Sequence, residues 1–164
     1  MEVIVRDGQV NDLTDILSIN RLSLPGVSLL DAHEFAILCN ASRFFRVLEV
    51  DNLIAGYLFA LDRHASYDGE EFNWFCDNID GEFVYIDQIA VAPEHRKSGF
   101  AAVLYNDLEK SSLKHQAIAL VCEVNLIPEN IPSRKFHFKA GFAEMFCMPT
   151  RGVVVSLFKK NLVG

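Results

Sequence analysis

"FVYIDQIAVAPEHRKSGFAAVLYNDLEK", residues 83–110, decides how the rest of the chain is read. An apolar run over 83–91 gives way at Pro93 to a charged turn of Arg96, Lys97 and Ser98, and Gly99 opens an amphipathic stretch that begins Phe100, Ala101. Strand, basic glycine-containing turn, helix is the order that gathers free backbone N–H groups at a helix start. There the helix dipole and a closely approaching backbone favour an anion. The turn has neither the G-x-x-x-x-G-K-S/T of a P-loop nor the three glycines of a dinucleotide fingerprint, so the anion has to be named by other residues.

Working outward, "AIALVCEVNL" (117–126) reads as the next strand. Residues 83–126 are then a strand–helix–strand unit with a parallel pair. Upstream, "EVIVRD" reads as an edge strand, "NDLTDILSINRLSL" as a helix capped by Asn11 or Asp12 and stopped at Pro25-Gly26, and "SLLDAHEFAILCNA" as a second helix. "RFFRVLEVDNLIAGYLFALD" reads as two strands hinged at Asp51-Asn52. Residues 62–82 break the periodicity and read as a long loop, a lid or substrate-side insertion whose Tyr67, Trp74 and Phe75 are candidates for the wall of a substrate site. Downstream, "IPSRKFHFKAGF" reads as a short helix closed at Gly141, followed by strands "FAEMFCMP" and "GVVVSLFKK". No repeat or linker interrupts the chain, and one domain over residues 1–164 is expected.

At 164 residues, half of them hydrophobic, the chain can bury one core. A formal charge of −7 argues against a nucleic-acid partner and favours cationic substrates. No stretch approaches the roughly 18–20 uncharged apolar residues of a membrane helix, and the N-terminus is charged, so a cytoplasmic protein without a membrane partner is expected. Cys39, Cys76, Cys122 and Cys147 are far apart with no C-x-x-C pair, which predicts neither a metal site nor a disulfide framework.

A second block lies about 30 residues beyond the first: Asn130, Ser133, Phe136, His137, Lys139, Gly141 and Phe142, in the spacing N-x-x-S-x-x-F-H-x-K-x-G-F. With this block in place the sequence resembles the GNAT superfamily of acyl-CoA-dependent N-acyltransferases. The family pattern Q/R-x-x-G-x-G/A is matched by Arg96, Gly99 and Ala101. Its later pattern N-x-x-A-x-x-L-Y-x-K-x-G-F is matched at Asn130, Lys139, Gly141 and Phe142, with Ser133 as the small residue and Phe136 as the aliphatic one. The resemblance covers essentially the whole chain and is strongest over 83–142.

The resemblance implies a mixed α/β fold: a twisted, mostly antiparallel sheet with a central splayed parallel pair, flanked by helices. It implies that the anion is the pyrophosphate of coenzyme A, met by residues 96–101, including Lys97, Ser98 and Phe100. It also implies main-chain contacts to the pantetheine arm from Ile89, Ala90 and Val91, with Asn130 and Ser133 near the thioester end and Phe136 among the cofactor-binding residues. Acetyl transfer from acetyl-CoA to a primary amine of a small molecule or peptide N-terminus follows; a CoA-binding module without turnover is the alternative, and a homodimer is possible. One departure stands out, because the family's frequent tyrosine is His137 here, placing the acid step on an imidazole.

Glu123 resembles the glutamate that serves as base in protein N-terminal alanine acetyltransferases of the superfamily. An unpaired carboxylate within an apolar strand is costly, which suggests a partner or a task. A structural hydrogen bond to a loop N–H is the competing reading. On the other central strand, Tyr85 and Asp87 are expected to share one face with Ile89 and Val91 at period two, with Asp87 acting through water.

Overall fold

The structure, a computed structural model, describes residues 1–163. The elements run β1 (Val3–Asp7), α1 (Leu13–Leu22), α2 (Ala32–Ala41), β2 (Phe44–Val50), β3 (Leu53–Asp62), α3 (Glu70–Asn78), β4 (Phe83–Val91), α4 (Phe100–Lys114), β5 (Ala119–Ile127), α5 (Ile131–Lys139), β6 (Ala143–Thr150) and β7 (Val153–Asn161). The seven strands form one sheet in the order β1-β2-β3-β4-β5-β7-β6. Every pairing is antiparallel except β4 with β5. No helix among the described residues is long and apolar enough to cross a membrane.

Helices cover both faces because strand side chains alternate. Tyr57, Phe59 and Leu61 of β3, Tyr85 of β4 and Val121 of β5 are buried under Ile16 and Ile19 of α1, Phe35 and Leu38 of α2, and Phe72 and Phe75 of α3. Their neighbours Leu58, Ala60, Ile86 and Cys122 point the other way and pack on Phe100, Leu104 and Leu108 of α4. The 100, 104, 108 spacing keeps one stripe of α4 on the sheet.

Two expectations need correction. The second helix starts at Ala32 rather than at residue 28, because Asp31 caps it by accepting from the Glu34 amide at 2.8 Å. The segment 62–82 is not a continuous loop: its middle is α3. Phe72, Phe75 and Ile79 fall at helical spacing and are buried against the sheet, and Glu70 and Glu71 sit where the helix dipole favours carboxylates. The Arg63 guanidinium holds the other end, donating to the carbonyls of Cys76 and Ile79.

Candidate active site

The parallel pair is joined only at its start. Phe83, Val84 and Tyr85 pair with Ala119, Leu120 and Val121, and from there residues 86–91 of β4 and 122–127 of β5 run on without pairing each other. The sheet therefore opens at its centre. A cavity of about 270 Å³ occupies the opening, with Asp87, Ile89, Tyr105, Glu123, Ser133 and His137 among its lining residues. A second cavity, about 480 Å³, shares Asp87, Gln88, Glu123 and Arg151 with the first and extends under Tyr67, Asp68 and Glu34.

A β-bulge sets the chemistry of β4. Phe59 pairs with Gln88 and Ala60 with Ile86, leaving Asp87 as an extra residue without a partner on β3. The alternation resets there: Gln88 and Ala90 join the face of Tyr85, while Ile89 and Val91 pack toward α4. The expected common face of Tyr85, Asp87, Ile89 and Val91 is thus broken by one residue, which re-aims Asp87 into the cavities. The Tyr67 hydroxyl donates to Asp87 at 2.6 Å. Burial, reinforced by the nearby Glu71 charge and opposed by the Tyr67 bond, pushes the Asp87 carboxyl up to about 6.

Glu123 does have a partner, and it is not a loop amide. The Tyr85 hydroxyl donates toward both carboxylate oxygens, 2.9 and 2.8 Å away. Burial first, then the charges of Glu71 and Asp87, hold Glu123 well above the usual carboxylate range, while the Tyr85 bond acts in the opposite sense. Arg151, in the β6–β7 turn, donates to Glu71 at 2.5 and 3.1 Å and lines both cavities. Sequence reasoning missed it because its turn position carries no periodic signal.

The wall opposite β4 is pinned by a buried network. Asn20, fully buried, donates to the Ser28 carbonyl at 2.9 Å and accepts from the Leu30 amide at 2.9 Å; Tyr57 donates to Gln88 at 2.8 Å, and Gln88 in turn donates to Ser28. These bonds fix the loop between α1 and α2 over the open end of the sheet.

At the start of α4, Gly99 takes φ +81° with nothing within 4 Å of where a Cβ would stand. The first intrahelical bond runs from Val103 N to Gly99 O, so the amides of residues 100–102 precede it. Lys97 and Ser98 are exposed beside them. The Arg96 side chain is engaged elsewhere: it donates to the carbonyls of Val91 and Leu22 and to the Ser23 hydroxyl, stapling the turn to the end of α1. Phe100 is a core residue, so its amide rather than its ring faces this cradle.

The second sequence block is less uniform. Asn130 caps α5 by accepting from the Ser133 amide at 3.2 Å, and Ser133 lines the first cavity. Phe136 packs on the Tyr105 ring, centroids 5.4 Å apart, and lines neither cavity. Of the proposed wall residues, Tyr67 lines the second cavity, Phe75 is fully buried in the core, and Trp74 stacks on Phe146 at 5.3 Å; neither of the last two lines a cavity. Among the described residues no group of three His, Cys, Asp or Glu is placed to hold a metal.

The raised Asp87 carboxyl has a measurable consequence. Between pH about 4 and 6 the folded state holds a proton that the unfolded chain has lost, so stability falls as pH rises through that window and stays lower above it. Asp87→Asn keeps an acceptor for Tyr67 and removes the half-buried charge. Well above pH 6 the variant is expected to be about 3 kcal/mol more stable than the wild type, the shift of the carboxyl at about 1.4 kcal/mol per pH unit, with no gain at pH 4. Denaturant melts at the two pH values check this, and equal stability at pH 7.5 would contradict it.

The sequence matches the model of the acetyltransferase (GNAT) family over residues 13–142. No curated protein matches it in sequence. Solved structures share the fold at low identity: Ard1 from Thermoplasma volcanium superposes with TM-score 0.81 at 14% identity, covering 100% of both chains. yncA from Salmonella typhimurium, with its cofactor acetyl-CoA, gives 0.73 at 17% identity over 100% of this chain and 96% of that one. Arabidopsis thaliana Naa50, in complex with the bisubstrate analogue CoA-Ac-MVNAL, gives 0.73 at 16% identity over 98% and 99%. The opened parallel pair, the glycine-led start of α4 and the match over 13–142 converge on one conclusion: the chain belongs to the GNAT family of acetyltransferases.

Proposed function

We propose that residues 1–164 act as a single domain that moves an acetyl group from acetyl-CoA to a primary amine of a small molecule or peptide N-terminus, by direct attack in a ternary complex. The observation that carries this reading is Glu123, a half-buried carboxylate in the gap of an opened parallel pair, shared by both cavities. The residues around it fit coenzyme A. Gly99 leaves room for a phosphate against the amides of residues 100–102, with Lys97 and Ser98 alongside. Residues 89–91 offer main-chain groups to an amide-bearing arm, as a sheet edge does to an added strand. Ser133 lines the first cavity from α5, whose start Asn130 caps. The acetyl-CoA and CoA analogue held by two proteins of the same fold support this assignment.

When bound, the thioester supplies an activated acyl carbon. The chain supplies the rest. Glu123 accepts the proton of the attacking amine; its raised affinity for protons brings it nearer to the neutral range where that transfer is efficient. Tyr85 orients the carboxylate, and Asp87 assists through water from the bulge. Glu34, Asp68 and Asp87 line the larger cavity, where Arg151 is paired with Glu71. That balance favours an acceptor carrying positive charge, and Tyr67 closes one side of its path.

Calorimetric titration with acetyl-CoA followed by thiol release over a panel of amines tests the proposal. Binding should be seen, release should require an amine, and a cationic acceptor should exceed a neutral analogue of equal size in kcat/KM by ~10-fold, about the effect of one modest charge contact. Cys122, a buried thiol held above its usual range, should show no acetyl adduct by intact mass. Binding without consumption on every amine would identify a CoA-binding module instead.

A further inference from the structure

The two faces of the sheet meet at the gap with different chemistry. Glu123 lies opposite Leu157, on the face covered by α1, α2 and α3, and Cys122 points to the face covered by α4 and α5. From that second side two more polar groups reach the first cavity: Tyr105, next to Leu104 on the buried stripe of α4, and His137 of α5. They are bonded to each other, Tyr105 Oη to His137 Nε2, at 2.8 Å.

The other ring nitrogen settles the direction of that bond. His137 Nδ1 lies 2.7 Å from the Ser133 carbonyl, which accepts and never donates, so Nδ1 carries the proton. The ring is 5% exposed, packed among Phe136, Phe142 and Phe158, and burial lowers its affinity for a second proton. Nε2 is then a bare lone pair receiving the Tyr105 O–H. Neither nitrogen of His137 has a proton to offer the cavity, and the acid role expected of it from the sequence moves to the hydroxyl it holds.

We propose that Tyr105 is the catalytic residue that protonates the departing sulfur, and that His137 is a positioning residue for its hydroxyl. This rests on the acetyl-CoA reading. Rotation about the Cζ–Oη bond swings the proton from Nε2 into the cavity without moving the ring. Tyr105 gives its O–H proton to the sulfur, which keeps the electron pair of the broken carbon–sulfur bond. The tyrosinate then recovers, through cavity water, the proton that Glu123 took from the amine. One N–H bond is lost and one S–H bond is gained, so protons and charge balance. The arrangement places the base on one face of the sheet and the acid on the other, with the gap between them.

The test uses Tyr105→Phe, which keeps the ring and its packing, and His137→Gln beside His137→Phe. By imidazole ¹⁵N NMR, wild-type His137 should be the Nδ1–H form, and its Nε2 signal should move toward that of an unbonded ring nitrogen in Tyr105→Phe. Tyr105→Phe should lower kcat ~100-fold, the usual scale for one acid group, with both KM values within about threefold. Bound CoA should ionise less readily: its thiolate absorbance at pH 8 should fall ~10-fold in the variant, while desulfo-CoA binds both proteins alike. His137→Gln, which offers Tyr105 an acceptor, should retain more activity than His137→Phe. An Nε2–H tautomer, or an unchanged thiolate fraction with CoA bound, overturns the assignment and leaves the acetyltransferase reading standing. Failure of wild type to bind CoA overturns that reading, and this assignment with it, whatever the tautomer.

Discussion

Gly99→Glu should abolish measurable binding of acetyl-CoA. Gly99 opens α4 in the left-handed region, with open space where a side chain would begin and with the amides of residues 100–102 ahead of the first intrahelical bond. A carboxylate there takes the place of a phosphate and repels what remains outside. Two like charges about 4 Å apart at a partly shielded surface oppose each other by about 2–4 kcal/mol, which is ~30- to 1000-fold in affinity. The substitution also strains the backbone by about 1–2 kcal/mol, so a control is needed. Gly99→Asn carries no charge and tolerates φ +81°, and it should bind within about fivefold of wild type. Calorimetry on the three proteins reads the difference, and glutamate binding like wild type would remove the phosphate from this turn.

The second large effect is expected at Glu123. Glu123→Gln keeps an oxygen for the Tyr85 hydroxyl and the volume of the side chain but loses the base. The expected loss in kcat is ~100- to 1000-fold, with KM for acetyl-CoA unchanged within about threefold. The deficit should narrow as pH rises toward the acceptor's own pKa, since an amine that arrives free needs no base. Removing this half-buried carboxylate should also raise the melting temperature at neutral pH, because Glu123 is held above its ordinary range mainly by desolvation. Lower activity with higher stability is the pattern of a group kept for chemistry; unchanged kcat would return Glu123 to a structural role beside Tyr85.

Most of the elements were legible because their signals are local. The Asp51-Asn52 hinge appears as two residues with φ of 50° and 67°, and Gly141 closes α5 at φ +96°. β4 spans the residues expected of it, Phe83–Val91. α3 was hidden because Glu70, Glu71 and Asp77 interrupt its apolar positions, and only packing of Phe72, Phe75 and Ile79 on the sheet gives the helix its stability.

The site was legible in part. Glu123, Asp87 and Tyr85 could be picked out as polar groups in apolar strands; Glu123 and Asp87 line both cavities and Tyr85 lines the second. Tyr105 left a faint trace, a hydroxyl on the buried stripe of α4, but nothing in the sequence says what it meets 32 residues later. Phe75 and Trp74 misled because an aromatic in an acidic segment reads the same whether it walls a pocket or fills a core.

By itself, then, the sequence determined the strand–turn–helix at 83–110, the glycine at its turn, the order of the elements and the carboxylates within them, since backbone preference and side-chain period act over a few residues. The tertiary structure alone decided where β4 and β5 part, that a bulge at Asp87 turns Ile89 and Val91 to the other face, that Arg151 answers Glu71 across 80 positions, and that His137 holds Tyr105. Register and pairing are set by the sum of contacts between distant segments, and a shift of one residue exchanges the faces of a strand while leaving its local pattern unchanged.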